Sequence, residues 1–245
     1  MKFYFIGGLG SNENHISEFA HYFPYPITYL DPYKLKLESP QDLVDWFEAH
    51  TDSNEKTCII AYSLGGDLAR YLASNMPQTT HLVLLDGGYL DMDQILPLEQ
   101  EIEEALAYLK QQVFPSLEEA VASELGDTDN PSPATIKAIQ SSYRWNPELH
   151  HYELNLDPQA VLSLLRLRRE LRSFQAPLTD IKVMFIGPKY EEEPEWRARA
   201  LENLDPSIKK VLLKDLGHDF YTAVPELVSK EIITWIQICS KITHI

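Results

Sequence analysis

Ser63 is the residue with the plainest chemistry in this chain. It sits in Cys58-Ile59-Ile60-Ala61-Tyr62-Ser63-Leu64-Gly65-Gly66, a short apolar run that reads as a buried strand and breaks abruptly at the serine. Asp67 to Ala73 continues as a helix, with Leu68 and Leu72 four apart on one face. The residues at −2, +2 and +3 from the serine are Ala61, Gly65 and Gly66. A nucleophile on a sharp strand-to-helix turn takes a strained backbone that brings these neighbours together, so only small residues fit. Such a turn lifts the serine oxygen to the top of a sheet. It also puts the Leu64 N–H at a helix N-terminus, where a developing oxyanion can be bound.

The elements that would hold this turn follow from the apolar pattern. Residues 2–6 read as a strand that runs into the loop Gly7-Gly8-Leu9-Gly10-Ser11. A helix over 14–22, a strand over 27–30 and a helix over 41–50 capped by Ser39-Pro40 come next. The strand 57–61, the serine turn and its helix follow, then a strand over 81–86. This alternation predicts a mostly parallel sheet with crossover helices. Sites in such sheets form at the carboxyl ends of strands, which places Asp86 on the active side, one strand along from Ser63. Strand signals vanish from residue 91 to about 177. Helices are expected over 99–114, from a Ser116-x-x-Glu119 capping box, over 134–143 and over 157–174. The last carries Arg166, Arg168, Arg169 and Arg172, read as a solvated face paired with acidic surface in preference to an anion site. Strands over 181–187 and 210–213, helices over 195–204 and 225–241, and the segment Gly217-His218-Asp219-Phe220 complete the chain.

Ala61-x-Ser63-x-Gly65 resembles the Gly-x-Ser-x-Gly turn of the α/β-hydrolase superfamily, with Ala for the first Gly. Gly7-Gly8-Leu9-Gly10-Ser11 is similar to that family's His-Gly-x-Gly-Ser segment, with Gly7 in the His position. It lacks the endings and spacings of phosphate-binding loops. Gly217-His218 resembles the loop that carries the family's catalytic histidine. The resemblance implies an α/β-hydrolase core over 1–90 and 177–245 and an all-helical cap over 91–176. It also implies a triad of Ser63, His218 and a carboxylate, with Leu9 and Leu64 N–H groups as the oxyanion hole. The acid departs from the pattern. The usual Asp position after the strand that follows the cap is Tyr190. Some members place the acid at the end of the strand before the cap, where Asp86 stands. Glu191 is the alternative, with Glu192 and Glu193 behind it. Asp86 needs no loop shift and is preferred.

The implied reaction is acyl transfer to water without a cofactor, on a small or medium ester or thioester. The Leu, Tyr and Trp content of 91–176 predicts an apolar acyl or aryl pocket. Carbon–carbon hydrolysis or a lyase step on the same residues, and a non-catalytic ligand-binding protein on this scaffold, are the rival readings. The chain has 245 residues and a formal net charge of −16, which argues against nucleic acid and anionic membranes as partners. No run is long and apolar enough to span a membrane, and the first residues lack a signal-peptide pattern. Cys58 and Cys239 read as buried thiols of a cytoplasmic protein. The eight histidines show no metal-ligand spacing, and the adjacent His150 and His151 read as surface or cap-lining residues.

Overall fold

From the N-terminus, β1 (Lys2–Ile6) leads through a 3-10 turn (Glu13–Ile16) into α1 (Ser17–Tyr22), followed by β2 (Ile27–Leu30) and α2 (Pro40–His50). Then come β3 (Thr57–Tyr62), α3 (Leu64–Asn75) and β4 (Thr79–Leu85). An insertion holds α4 (Leu98–Gln111), β5 (Val113–Phe114), α5 (Leu117–Leu125), α6 (Pro133–Ser141), β6 (Tyr143–Asn146), β7 (His151–Leu154) and α7 (Pro158–Arg172). The chain returns through β8 (Lys182–Lys189), α8 (Glu195–Glu202), β9 (Lys209–Lys214), α9 (Phe220–Ala223) and α10 (Pro225–Ile242). The structure, a computed structural model, describes residues 1–126, 130–173 and 177–242. The helix end expected at residue 174 and the middle of the expected break over 126–133 lie outside the described residues.

Six strands form one sheet in the order β2-β1-β3-β4-β8-β9, and every neighbouring pair is parallel. Side chains alternate across it with period two. Tyr4, Ile6, Ile59, Ala61, Leu82, Leu84, Val183 and Phe185 enter one apolar core, with α2, α3 and α7. Phe3, Phe5, Cys58, Ile60, Val83, Leu85, Met184 and Ile186 enter the other, with α1, α9 and α10. Both sheet faces are therefore covered, which is why β3 and β4 are near-continuous apolar runs. Capping residues set where helices begin. Ser39 accepts from the Asp42 N–H while Asp42 accepts from the Ser39 N–H, and Pro40 stands at the first helical position.

The insertion corrects one expectation: it is not all-helical. Its strands β5, β7 and β6 form a small antiparallel sheet, with Trp145 opposite Tyr152 and Phe114 opposite the same Tyr152. The β6–β7 hairpin turns at 147–150, where Asn146 Oδ1 accepts from the Glu148 and Leu149 N–H groups and His150 takes a left-handed φ of 51°. Pro147 reads in sequence as a helix stop, yet here it opens a hairpin turn. Trp145 and Tyr152 pack edge to face at 5.1 Å, and Arg144 pairs with Glu153 across the strands. These pairings end α4 and α6 earlier than their apolar stripes predict. They also put His151 in a strand beside Glu153.

The last insertion helix, α7, packs on α3 and buries Val161, Leu164, Leu165, Leu167 and Leu171 in the same core as Leu68 and Leu72. Two of its four arginines depart from the expected solvated face, while Arg172 is exposed and pairs with Asp91. Arg166 is exposed, but the side chains of Arg168 and Arg169 are 12% and 8% exposed. Arg168 pairs with Glu101 and faces Asp67, and Arg169 binds Glu101, Asp93 and the Leu96 carbonyl. They pair with acids, as expected, but in a seam between helices rather than in water.

Candidate active site

Ser63 joins β3 to α3 with φ 53° and ψ −127°, a conformation a serine adopts only under constraint. The constraint is visible around it. The Ser63 N–H donates to the Leu85 carbonyl at 3.0 Å, tying the turn to the end of β4. A Cβ on Gly65 would come within 2.4 Å of the Gly7 carbonyl oxygen, and one on Gly8 within 2.8 Å of the Ser63 Cβ. The glycine loop after β1 thus passes directly over the serine, with Leu9 following Gly8. Leu64 is the first residue of α3, a position whose N–H has no acceptor within the helix. Leu64 adjoins Ser63 at the start of α3, and Leu9 follows Gly8 on the loop that crosses the serine; these are the two residues whose N–H groups are expected to form an oxyanion hole.

His218 lies between β9 and α9, as its sequence context predicts. Its Nε2 is 3.0 Å from Ser63 Oγ and its Nδ1 is 2.7 Å from Asp86 Oδ2. An ionised carboxylate only accepts, so Nδ1–H donates to Asp86 and Nε2 is left to accept from the serine hydroxyl. The Tyr62 ring lies against the imidazole with centroids 4.8 Å apart, and Tyr221 stands 4.7 Å behind Tyr62. The His218 side chain is half-exposed, while Asp86 is buried.

The structure brings Asp86, not Glu191, to His218. Asp86 follows β4 with a left-handed φ of 44°, and its N–H donates to the Ile186 carbonyl at 2.8 Å. Oδ1 accepts from Arg197 Nη2 at 3.0 Å and from the Tyr89 hydroxyl at 3.1 Å. Burial works against a charge on Asp86. Hydrogen bonds from His218 and Arg197, and the Arg197 charge, outweigh it and hold the carboxyl below its ordinary value. Glu191 is exposed on the loop after β8, and the Tyr190 ring lies 4.8 Å from the Arg197 guanidinium. Glu193, weighed in sequence as a lesser acid, instead binds Arg197.

Arg197, Tyr89 and Tyr62 escaped the sequence reading. One signal was present for Arg197. It lies four residues before Leu201 in α8, and these two make the buried stripe of that helix. An arginine on an apolar stripe marks a buried partner.

A cleft of about 750 Å³ opens beside Leu9 and Tyr62, between the insertion and the wall formed by the loop after β1, α1 and α9. The expected apolar pocket is not what lines it. Leu125, Ile139 and Leu154 share the walls with His15, Thr135, Ser142, Glu124 and Asp219. Much of the insertion's apolar surface is used elsewhere: α7 packs into the main core, and Ala120, Ile139, Tyr143 and Leu154 form a small core of their own that only partly faces the cleft. Among the described residues no helix is long and apolar enough to cross a membrane.

The parallel order of the sheet, the serine on the β3–α3 turn and the histidine after the last strand together make this an α/β-hydrolase fold. Solved structures bear this out across the whole chain. E-2-(acetamidomethylene)succinate hydrolase superposes with a TM-score of 0.71 at 17% identity, covering 96% of this chain and 91% of that one. A thioesterase domain from the curacin biosynthetic pathway gives 0.69 at 13%, over 95% and 90%. MenH from S. aureus gives 0.65 at 17%, over 97% and 93%. No family model and no curated protein matches the sequence.

Proposed function

We propose that the protein is a serine hydrolase that cleaves a small or medium carboxylic ester or thioester. The observation that carries this reading is the continuous chain Ser63 Oγ–His218 Nε2 and His218 Nδ1–Asp86 Oδ2, at 3.0 and 2.7 Å, built on a strained turn. Ser63 attacks the carbonyl carbon as His218 takes its proton. Asp86 orients the imidazole and stabilises its cation. The Leu9 and Leu64 N–H groups receive the oxyanion. His218 then protonates the leaving group, and a water molecule, activated in the same way, releases the acid. The insertion serves as a cap, and the cleft beneath it, which reaches Leu9 and Tyr62 next to Ser63, admits the substrate. The mixed lining of that cleft favours an acyl or leaving group with polar functions over a long hydrocarbon chain.

The test is intact mass after incubation with a fluorophosphonate, for wild type and Ser63→Ala. One adduct on wild type, absent from the variant, is the expected result. No adduct on wild type would overturn the reading. An ester and thioester panel then identifies the substrate class, and turnover of diketones without ester turnover would turn the reaction to carbon–carbon cleavage.

A further inference from the structure

Arg197 is buried with its side chain 3% exposed, on a helix of eight residues, and its guanidinium lies behind Asp86. Nη2 donates to Asp86 Oδ1 at 3.0 Å and to the Pro188 carbonyl at 2.9 Å, and Nη1 donates to Glu193. The Tyr190 ring lies 4.8 Å from the guanidinium and the Tyr89 ring 6.0 Å from it. The end of β8 and the loop after it thus supply a carbonyl, an aromatic ring and a carboxylate, all to one arginine. Asp86 itself divides its oxygens, Oδ2 to His218 and Oδ1 to Arg197 and Tyr89.

We propose that Arg197 is a positioning residue of the serine–histidine–aspartate chain: it pins Asp86 as a charged acceptor and, balanced by Glu193, sets the pH at which His218 works as a base. This rests on the hydrolase reading above. The physical argument concerns charge. A carboxylate stabilises the imidazolium it touches. A cation on the far oxygen of that carboxylate draws off part of that stabilisation. Glu193 sits on the other side of the guanidinium and partly cancels the cation. The other groups facing Asp86 are the hydroxyls of Tyr62, Tyr89 and Tyr190, with Asp219 beside His218 in the chain. None of these changes in the variants below.

Two variants of opposite sign separate this role from simple bracing of α8. Arg197→Gln keeps a donor for Asp86 and removes the charge. The acid limb of the labelling rate with a fluorophosphonate should move to higher pH by about one pH unit. Glu193→Gln removes the counter-charge and should move the same limb to lower pH, by about a few tenths of a pH unit given its greater distance. Arg197→Lys, which keeps the charge and loses the planar fork, should leave the limb near wild type and lower the plateau. Thermal unfolding reports whether each variant is folded. If Arg197→Gln does not fold, Glu193→Gln decides alone: a downward shift supports the role and an unmoved limb overturns it. An unmoved limb in folded Arg197→Gln, or shifts of the same sign in both variants, overturns the role while leaving the hydrolase reading intact. Absence of any Ser63-dependent adduct on wild type, at every pH, overturns both.

Discussion

Asp86 and Asp67 are both aspartates set against an arginine away from water, one at the candidate active site and one at the seam between α3 and the insertion. Their environments drive them in opposite directions. Asp86 receives hydrogen bonds from His218, Arg197 and Tyr89, and its carboxyl is held below the ordinary value despite burial. Asp67 stands 3.9 Å from Arg168, whose guanidinium is engaged with Glu101. Burial dominates there, the charges of Arg168, Arg172 and Arg70 oppose it without prevailing, and the carboxyl is pushed up to about 6. The first turn of a helix favours an anion, yet this is not enough to offset desolvation. Proximity of an arginine therefore does not by itself keep a buried acid ionised. The count of donors that reach the oxygens does. A site that needs a permanent anion uses three donors, and a packing seam tolerates fewer.

The largest effect expected from this contrast is on turnover. Asp86→Asn keeps the volume and an acceptor for Arg197 and Tyr89, but it cannot hold a cationic His218. It should lose on the order of 10⁴ in kcat, as removal of a triad aspartate does. Asp67→Asn and Glu191→Gln should both keep kcat near wild type, measured on whichever ester the panel identifies. Full activity in Asp86→Asn would end the distinction between the two aspartates and return the choice of acid to the loop after β8.

That choice was the part of the site least legible in the sequence, for a physical reason. Ser63 and Leu64 announce themselves through local spacing, because the crowding of the turn acts on residues two and three positions away. The six strands of the main sheet were equally plain, since each is a short apolar run between turn residues. Asp86 could be placed at a strand end but not paired, because its partners His218 and Arg197 lie 132 and 111 residues away. The small sheet of the insertion was hidden for a different reason. Its strands are two to four residues long, too short to show period two, and Pro147 imitates a helix stop. The direction in which Leu, Tyr and Trp of the insertion point is set by that sheet, so the lining of the cleft was not legible either.

The next effect is on stability and belongs to the seam. Leu164 is fully buried between α7 and α3, among Leu68, Leu72 and Leu167. Leu164→Ala should cost about 2–5 kcal/mol in urea unfolding, the usual range for an emptied core position. Its kcat should remain close to wild type. Asp86→Asn should differ in kind: turnover is lost by orders of magnitude, and the stability contributed by the ionised carboxylate paired with Arg197 is lost with it. A Leu164→Ala protein as stable as wild type would mean that the seam is held by its ion pairs. The lesson drawn from Asp67 would then fail at its source.

The smallest effect tests that lesson directly through pH. An acid whose folded value is raised favours the fold while it is protonated. Its contribution is fully present below the unfolded value, near pH 4, and is lost as pH rises through about 6. Wild type should therefore lose stability between pH 4.5 and 7.5 through Asp67, and Asp67→Asn should not lose that part. Urea unfolding of both proteins at the two pH values should show the variant gaining on wild type at the higher pH, on the order of 2 kcal/mol. Asp86 does not interfere. Its value is lowered, so its contribution is present above the unfolded value and is lost only as pH falls below that range. An equal gap between variant and wild type at both pH values would mean that Asp67 stays ionised in the fold. Arg168 would then hold Asp67 as firmly at 3.9 Å as Arg197 holds Asp86 at 3.0 Å, and the number of donors would cease to be what separates the two.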